Sequence, residues 1–372
     1  MFDHRAVIAK LGPQFHDRAG AYDAEDRFVS ENYTDLKSEH AFSAMIPPEL
    51  GGGGLPYSEM CNLVREISHY CSSTALAFSM HQHAVASAVW NYRHGNPGEK
   101  LLRRVASADL VLVSTGATDW LSSNGELTAC DGGFRFTAAK RFASGSPAGD
   151  LIVTSGRFHD PESGWQVLHF ALSMHADGVR VEDDWKTMGM RATGSHTVTI
   201  ENAFVPSEAV TLRRPMGKYH RVYDIVLPVA MPLIGAAYVG LAEAAARTAL
   251  ESATGRCDDL APILIGEMHN HLTAAQLAHR SMVAMADNLE FQPSVNNTSE
   301  VLTRKTLLIQ ATVNTCTKAM EVTRGAGYFR KLGLERLLRD AIAGQFHPLS
   351  EKKQQQFTGR IALGLNVEEA AG

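Results

Sequence analysis

The chain has 372 residues, which suggests two or three domains and allows a sizeable core. Its 45% hydrophobic and 20% charged residues are the values of an ordinary globular protein and exclude one dominated by disorder or fibrous repeats. The formal net charge of -5, without a concentrated excess of Lys and Arg, argues against a nucleic-acid partner.

Signals for export, for membrane insertion and for a metal site are also lacking. No apolar segment follows Arg5 and Lys10, and we find no run of about 18 apolar residues, so we expect a cytoplasmic protein with no membrane partner. The five cysteines form no C-x-x-C pair and are expected to be reduced thiols. His81 and His83 form an H-x-H pair, but residues two apart on a helix point to different faces, so no metal site is expected.

The periodicity of apolar residues changes twice along the chain. Residues 1–108 have a helical pattern, with apolar residues recurring at intervals of three and four between Tyr57 and Trp90. Residues 109–218 contain short β-branched and aromatic runs separated by turn signals, which predict a β domain. From 219 to 372 the helical period returns in long, Ala-rich stretches that suit close packing of antiparallel helices. The sequence therefore predicts three domains in the order helical, β, helical.

Two Gly/Ser/Thr-rich loops lie at the ends of predicted strands in the β domain. They read VSTGATDW, from 113 to 120, and KRFASGSPAGD, from 140 to 150. Such loops offer backbone N–H groups and hydroxyls that suit a phosphate or the pyrimidine edge of a flavin, and they also occur as plain β turns. No G-x-G-x-x-G motif follows a strand and no P-loop motif occurs, so the sequence does not support Rossmann or P-loop nucleotide binding.

Two further segments contain unusual clusters of glycine and charge. WKTMGMRATGSHTVTIENAFVP, from 185 to 206, places an arginine in a Gly/Thr-rich turn before an alternating strand, as a β-hairpin with a surface Arg also would. EVTRGAGYFRKLGLERLLRDAIAGQFHPL, from 321 to 349, is a helix that stops at a glycine turn and is followed by a charged helix. Taken alone, this second arrangement is structural in many proteins.

Four segments, taken in order, resemble the motifs of the acyl-CoA dehydrogenase superfamily. The loop from Ile46 to Leu55 looks like P-E-x-G-G-x-G-L, and KRFASGS looks like the flavin loop K-x-W-I-T-N-G. MGMRATGSHTVTIENAFVP looks like G-x-R-x-(S/T)-x-T…F-x-x-V-P, and RGAGYFRKLGLERLLRDA looks like G-G-x-G-(Y/F)…(L/V)-E-(R/K)-x-x-R-D-A. Because the four motifs keep this order over about 300 residues, the resemblance is specific and covers nearly the whole chain.

The resemblance implies an α+β fold with an N-terminal helical domain, a middle β-barrel and a C-terminal four-helix bundle. It also implies a homotetramer or homodimer with a flavin, FAD or FMN, between domains. Phe142 stands where the family has a Trp beside the flavin, and Ser144 stands where a Thr contacts the flavin N5 edge. The cofactor-binding residues implied by the resemblance are Ser114, Thr115, Gly116, Thr118, Phe142, Ala143, Ser144, Arg256, Gly325 and Gly327.

The chain departs from the family at its catalytic base. Most dehydrogenases of the family follow R-D-A with a Y-E-G-T loop, whose Glu removes the α-proton of an acyl thioester. By counting, Pro348 occupies the position of that Glu. In another branch the Glu lies on the first bundle helix, about ten residues before a Gly-Leu step resembling Gly240-Leu241, where this chain has only Asp224, too early to match. Neither usual base is therefore expected.

A second departure concerns the adenine half of FAD. Where the family carries R-x-x-F-G after the first bundle helix, this chain reads Arg256-Cys257-Asp258-Asp259, and Glu321 replaces a Gln before the glycine turn. The negative charges of acidic residues repel a pyrophosphate. FMN, or a reduced flavin that diffuses in, is therefore an alternative to bound FAD.

A side branch of the superfamily, the dibenzothiophene monooxygenase-like two-component flavin monooxygenases, also lacks the Glu and uses reduced flavin and O₂. In that branch a His follows the R-D-A helix, a Ser sits near N5, and a His lies in the N-terminal region. His347, Ser144 and His83 match these features. A neutral imidazole can hold and exchange a proton near neutral pH, although a His at a helix C-terminus is also favoured by the helix dipole alone.

The resemblance thus implies a flavin-dependent oxidoreductase that acts on a small-molecule substrate, as a reduced-flavin monooxygenase or oxidase, with a flavin reductase as partner. His347, Ser144 and His83 are the expected catalytic residues. Two alternatives stay open. One is an acyl-CoA dehydrogenase with a displaced base, and the other is a binding relative without flavin, for which the altered adenine site is the main argument.

Overall fold

The computed structural model describes residues 2–116, 119–255 and 259–368, and it confirms the α+β class, with helices first, then a sheet, then helices again. The N-terminal helices are α1 (His4–Ala24), α2 (Ser30–Ser38), α3 (Tyr57–Ser68), α4 (Ser72–Arg93) and α5 (Glu99–Ala108). The strands are β1 (Leu112–Ser114), β2 (Glu126–Cys130), β3 (Gly133–Lys140), β4 (Leu151–Asp160), β5 (Gly164–Ser173), β6 (Val179–Val181), β7 (Val198–Pro206) and β8 (Val210–Pro215). The C-terminal helices are α6 (Tyr223–Ala253), α7 (Leu260–Ala286), α8 (Val295–Thr323), α9 (Leu334–Ile342) and α10 (Glu351–Ala362).

The N-terminal helices bury the apolar stripes that their sequence predicts. Asp3 caps α1, because its carboxylate accepts two backbone N–H groups of the first turn that have no partner within the helix. On α3, the residues that recur at intervals of three and four are all buried, namely Met60, Leu63, Val64 and Ile67. Burial of this stripe fixes which face of α3 turns toward the rest of the protein.

The strands form one eight-stranded sheet in the order β6-β7-β3-β2-β4-β5-β8, with β1 paired to β4. The pairs are antiparallel except that β1 and β2 run parallel to β4. The inward side chains form a core of their own, in which Phe134 packs edge-on against Phe158 and Phe136 against Phe170. Among the described residues no pairing joins β6 to β8, so hydrogen bonds do not close the sheet into a full barrel.

Helix α6 is the most buried helix of the C-terminal part. Gly240 allows it to approach α3 closely, because a Cβ at this position would collide with the carbonyl oxygen of Arg65. The helix is long and apolar enough to cross a membrane, but 89% of its most apolar window is buried inside the protein. The expectation that the chain contains no run of about 18 apolar residues was wrong here, because the stretch from 225 to 242 has no charged residue. Its Gly, Ala and Pro residues lower its apparent hydrophobicity. Its burial identifies α6 as a core helix.

Both groups of helices share one hydrophobic core, and the R-D-A motif on α9 ties that core to the sheet. Asp340 is 1% exposed and accepts hydrogen bonds from the hydroxyl of Ser72, at the start of α4, and from the backbone N–H of Met190, in the loop before β7. The guanidinium of Arg339 lies 2.6 Å from a carboxylate oxygen of Asp23 on α1. The motif therefore fixes the position of the segment that follows it.

Candidate active site

Two histidines that are far apart in the sequence each contact a hydroxyl group on another element of the structure. His83 lies on α4, and its Nε2 is 2.9 Å from the hydroxyl oxygen of Ser114 at the end of β1. His347 follows a short turn after α9, and its Nε2 is 2.8 Å from the phenol oxygen of Tyr238 on α6. His83 also makes a small electrostatic contribution that lowers the pKa of His347. His347 is therefore turned into the protein rather than toward solvent.

Both imidazoles are neutral at physiological pH. Burial lowers the pKa of His347 to about 3, and the nearby Lys305 ammonium acts in the same direction. Burial also lowers the pKa of His83 to about 4. The Nδ1 atom of His83 is buried and has no hydrogen-bond partner within the described part of the chain. Since buried polar atoms are normally hydrogen-bonded, this atom is available to a bound group.

Lys305 holds the segment that carries His347. Its side chain reaches in from α8, is 2% exposed, and donates to the backbone carbonyl of His347 at 3.3 Å and to that of Leu349. Burial lowers the pKa of Lys305 to about 8, while the charge of Glu351 acts in the opposite direction. In the described residues no carboxylate forms an ion pair with Lys305, so the two carbonyls are its hydrogen-bond acceptors. The segment is thus fixed through its backbone.

Ser144 belongs to a separate chain of hydroxyl groups. Its Oγ is 2.7 Å from that of Ser195, which is 2.6 Å from that of Thr193. Ser144 is buried, and the hydrogen bonds seen in the described residues do not join it to His83 or His347. The sequence predicts that Ser144 and the two histidines line one pocket. A shared pocket for the three residues stays a prediction.

The second predicted flavin loop exposes an aromatic ring. Phe142 is 47% exposed, has a φ of 60°, and stands edge-on to Trp185 with 5.9 Å between ring centroids. Its neighbour Ala143 is fully buried, and the Ala143 N–H donates to the carbonyl of His196. A non-glycine residue rarely adopts a positive φ, so the surrounding bonds hold Phe142 in this conformation.

The first predicted flavin loop lies beside strand β4. The backbone N–H of Thr115 donates to the carbonyl of Val153, and the Thr115 hydroxyl donates to the hydroxyl of Thr154 at 2.7 Å. Gly116 has a φ of 138°, and a Cβ at this position would point into open space. Thr118, which was also predicted to contact the cofactor, lies outside the described residues.

A buried ion pair joins the two loops. The ammonium of Lys140 lies 2.8 Å from a carboxylate oxygen of Asp119, with side-chain exposures of 2% and 5%. The same carboxylate accepts hydrogen bonds from the Ser123 hydroxyl and the Asn124 backbone N–H. Burial lowers the pKa of Lys140, and Asp119 opposes this effect. Lys140, the first residue of the K-x-W-I-T-N-G-like motif, therefore fixes one loop against the other.

Of the remaining predicted cofactor residues, the structure describes Gly325 and Gly327. Gly325 is exposed, and a Cβ there would meet no atom within 4 Å. Gly327 is buried, and a Cβ there would collide with the Thr323 hydroxyl, so its role in the structure is packing. Arg256 lies outside the described residues.

His81 and His83 on α4 differ, because the ring nitrogens of His81 are both hydrogen-bonded and Nδ1 of His83 has no partner in the described residues. His81 is fully buried, its Nδ1 accepts the backbone N–H of Leu112, and its Nε2 is 2.8 Å from the carbonyl of Phe42. Both ring nitrogens of His81 are therefore used. Within the described residues no group of three His, Cys, Asp or Glu side chains could hold a metal ion.

The sequence-based predictions missed Tyr238 and Lys305. Lys305 is the one cation in the buried stripe of α8 formed by Val301, Leu302 and Leu308, and a charge at such a position is a usable signal. Tyr238 lies in the apolar sequence GAAYVG, where a single hydroxyl group gives little indication of its partner. Its partner depends on how α6 packs against the segment after α9.

Comparisons with known proteins agree with this architecture. The description "Acyl-CoA dehydrogenase, N-terminal domain" matches residues 8–109, and "Acyl-CoA dehydrogenase, C-terminal domain" matches residues 232–351. Dibenzothiophene monooxygenase of Mycolicibacterium goodii is 26% identical over 90% of this chain and 86% of its own length. Amino sugar nitrososynthase DnmZ of Streptomyces peucetius is 26% identical over 96% of this chain and 92% of its own.

A solved structure extends the match to the whole fold. KijD3 in complex with FMN and dTDP-3-amino-2,3,6-trideoxy-4-keto-3-methyl-D-glucose superimposes with a TM-score of 0.89 at 22% identity, over 99% of this chain and 97% of that one. The two family descriptions together span most of the helical parts of the chain. The chain belongs to the acyl-CoA dehydrogenase superfamily, whose members among its relatives are flavin-dependent oxidoreductases.

Proposed function

We propose that this protein is a reduced-flavin monooxygenase in which the neutral imidazole of His347 serves as a hydrogen-bond donor beside the flavin. The observation that carries the proposal is the orientation of His347, whose Nε2 is 2.8 Å from the phenol oxygen of buried Tyr238. The next residue, Pro348, stands where the dehydrogenases of the family have their Glu. Reduced flavin supplies two electrons, so that one atom of O₂ enters the substrate and the other leaves as water.

The site is poorly suited to removing a proton from carbon. A general base works best when its pKa lies near the operating pH, and the pKa of His347 is lowered to about 3. Two carboxylates lie near the positions of the family's base in the sequence, and both are already hydrogen-bonded. Asp340 accepts from Ser72 and a backbone N–H, and Asp224 is bonded to the hydroxyls of Tyr219 and Thr298. These contacts favour a monooxygenase over a dehydrogenase with a displaced base.

The residues present fit a flavin. The exposed ring of Phe142 offers an apolar surface next to the hydroxyl group of Ser144, and Gly116 leaves open space beside the first loop. The buried Nδ1 of His83 lacks a partner among the described residues. We propose that Ser114, Thr115, Gly116, Phe142 and Ser144 hold the flavin, as the family resemblance implies. Fixed donors near the ring stabilise the negative charge that reduction places on it.

We propose FMN as the form of the flavin and a separate flavin reductase as the partner that renews it. KijD3, which shares the fold, is complexed with FMN. Glu321, which replaces a Gln of the family, is exposed and lies 2.9 Å from the ammonium of Lys318. Its ion pair with Lys318 lessens the repulsion of a pyrophosphate but leaves no neutral amide to bind one.

The flavin proposal predicts how the purified protein will behave. We expect little bound yellow flavin after purification, and tighter binding of FMNH₂ than of FAD in anaerobic titrations followed by absorbance. Addition of an acyl-CoA under anaerobic conditions should leave bound flavin oxidised. Bound FAD that bleaches anaerobically with an acyl-CoA would instead identify a dehydrogenase. A lack of affinity for any flavin in either redox state would identify a binding relative.

We also propose that the chain forms a homodimer or homotetramer through its C-terminal helices. Large apolar side chains are exposed there, and a second copy of the chain would cover them. They include Leu260 (52%), Ile263 (60%), Leu277 (56%), Tyr328 (82%) and Phe329 (70%). Light scattering at micromolar concentration should give two or four times the chain mass of 40.4 kDa. A monomer under these conditions would contradict the proposal.

Two further features belong to the same proposal. We propose domain limits near residues 108 and 218, and the changes from α5 to β1 and from β8 to α6 support them. A cytoplasmic location suits the free thiols of Cys61, Cys71 and Cys316, which are buried and unpaired in the described residues.

A further inference from the structure

Tyr238 lies at the centre of α6 with its phenol group in a buried position. The residue is 0% exposed, and its Oη is 2.8 Å from Nε2 of His347. The structure gives this oxygen no other hydrogen-bond partner among the described residues. Burial raises the pKa of Tyr238 well above its usual value, so the phenol keeps its proton at every pH of interest.

The hydrogen-bond inventory decides which ring nitrogen of His347 carries the proton. A buried O–H group needs an acceptor, and Nε2 of His347 is the acceptor that the described residues provide. If Nε2 carried the proton it would donate to Oη, and the phenol O–H would then be buried without an acceptor. The favoured arrangement has the phenol donating to Nε2. Because the imidazole is neutral, its one proton lies on Nδ1.

The backbone of His347 is fixed independently of its ring. Lys305 donates to the carbonyl groups of His347 and Leu349 from the α8 side. With the backbone held by Lys305 and Nε2 held by Tyr238, the imidazole has one orientation, in which Nδ1 is free of partners in the described residues. His81 has the opposite tautomer, because its Nδ1 accepts a backbone N–H and its proton therefore lies on Nε2.

We propose that Tyr238 is a positioning residue that selects the Nδ1–H tautomer of His347 and so leaves the ring with a fixed N–H donor at Nδ1. What that donor does rests on the proposed monooxygenase function. The tautomer itself does not, because it follows from contacts within the protein. Tyr238 acts through His347 and needs no contact with substrate or flavin.

Solid-state NMR of the full chain labelled with ¹⁵N-histidine reads the tautomer directly. The signal of His347 among the 16 histidines is identified by its loss in His347→Gln. We expect the wild-type signal to be that of a protonated Nδ1 and a bare Nε2. Tyr238→Phe keeps the ring and removes the hydroxyl, and it should shift the tautomer ratio about five- to tenfold toward Nε2–H, the scale of one neutral hydrogen bond.

Tyr57→Phe is the matched control. Tyr57 is 2% exposed, and its hydroxyl donates to the carbonyl of Val229 at 2.6 Å, so this variant also removes one buried phenol hydroxyl but leaves His347 untouched. It should leave the tautomer of His347 unchanged. A wild-type signal with the proton on Nε2, or an unchanged ratio in Tyr238→Phe, would overturn the proposal. The wild-type spectrum decides the matter even if Tyr238→Phe fails to fold.

A second readout separates this inference from the proposed function. With reduced FMN and O₂, Tyr238→Phe should release H₂O₂ several-fold faster than the wild type, while its affinity for FMN stays the same. If the tautomer shifts as expected but wild-type protein releases H₂O₂ as fast as free reduced FMN does, the tautomer assignment stands and the monooxygenase proposal fails.

Discussion

Replacing Asp119 with alanine is expected to lower the free energy of unfolding by about 3–5 kcal/mol, because it leaves a buried ammonium without its counter-charge. The side chain of Lys140 is 2% exposed and has its ion-pair partner 2.8 Å away. Because the pair joins the two loops that we propose to face the flavin, Asp119→Ala should also weaken FMN binding. Urea unfolding followed by circular dichroism and an FMN titration measure the two effects.

Two variants control for this result. Glu201→Ala breaks the exposed pair between Glu201 and Arg180, whose side chains are 58% and 57% exposed, and should hardly change the free energy of unfolding because water screens exposed charges. The double variant Asp119→Leu with Lys140→Met removes both charges and should recover most of the lost stability. If Asp119→Ala is no less stable than Glu201→Ala, the buried pair does not hold the loops.

His347→Ala is expected to speed the release of H₂O₂ from the reduced-flavin protein by roughly ten- to a hundredfold, the scale of one proton-holding group. The residue supplies the N–H donor that we place beside the flavin, and alanine cannot replace it. Folding should be spared, because Lys305 binds the backbone of this segment rather than the ring of His347. Stopped-flow mixing of FMNH₂-loaded protein with O₂, with peroxidase-coupled detection, measures the rate.

His159→Ala is the matched control for this experiment. His159 lies on β4 and packs edge-on against Trp165 of β5, away from the candidate site. Its removal should leave H₂O₂ release unchanged. An unchanged rate in His347→Ala would reduce that residue to a structural role, and the dehydrogenase with a displaced base would become the better account.

The fold class could be predicted because local sequence patterns encode it. The stripe of apolar residues on α3 and the β-branched runs of β4 and β7 give helices and strands without any tertiary information. The pairing of strands is different, because β2 and β1 both lie next to β4 through contacts that are remote in sequence. Local patterns therefore could not predict whether the edge strands β6 and β8 pair with each other.

The sequence could suggest candidate residues for the site, but it could not give their contacts. His83 and His347 were identified by their positions relative to family motifs. Their partners Ser114, Tyr238 and Lys305 lie on three separate elements, so their contacts depend on packing that no local pattern specifies. Lys140 belongs to a predicted cofactor motif, yet in the structure it stabilises the loops through Asp119.

The most direct test of the central claim compares H₂O₂ release from free and protein-bound reduced FMN. Wild-type protein loaded with FMNH₂ and mixed with O₂ in the absence of substrate should release H₂O₂ at least about tenfold more slowly than free FMNH₂ does, because a monooxygenase retains its oxidant for the substrate. Release at the rate of free flavin, together with anaerobic reduction of the bound flavin by an acyl-CoA, would contradict the account.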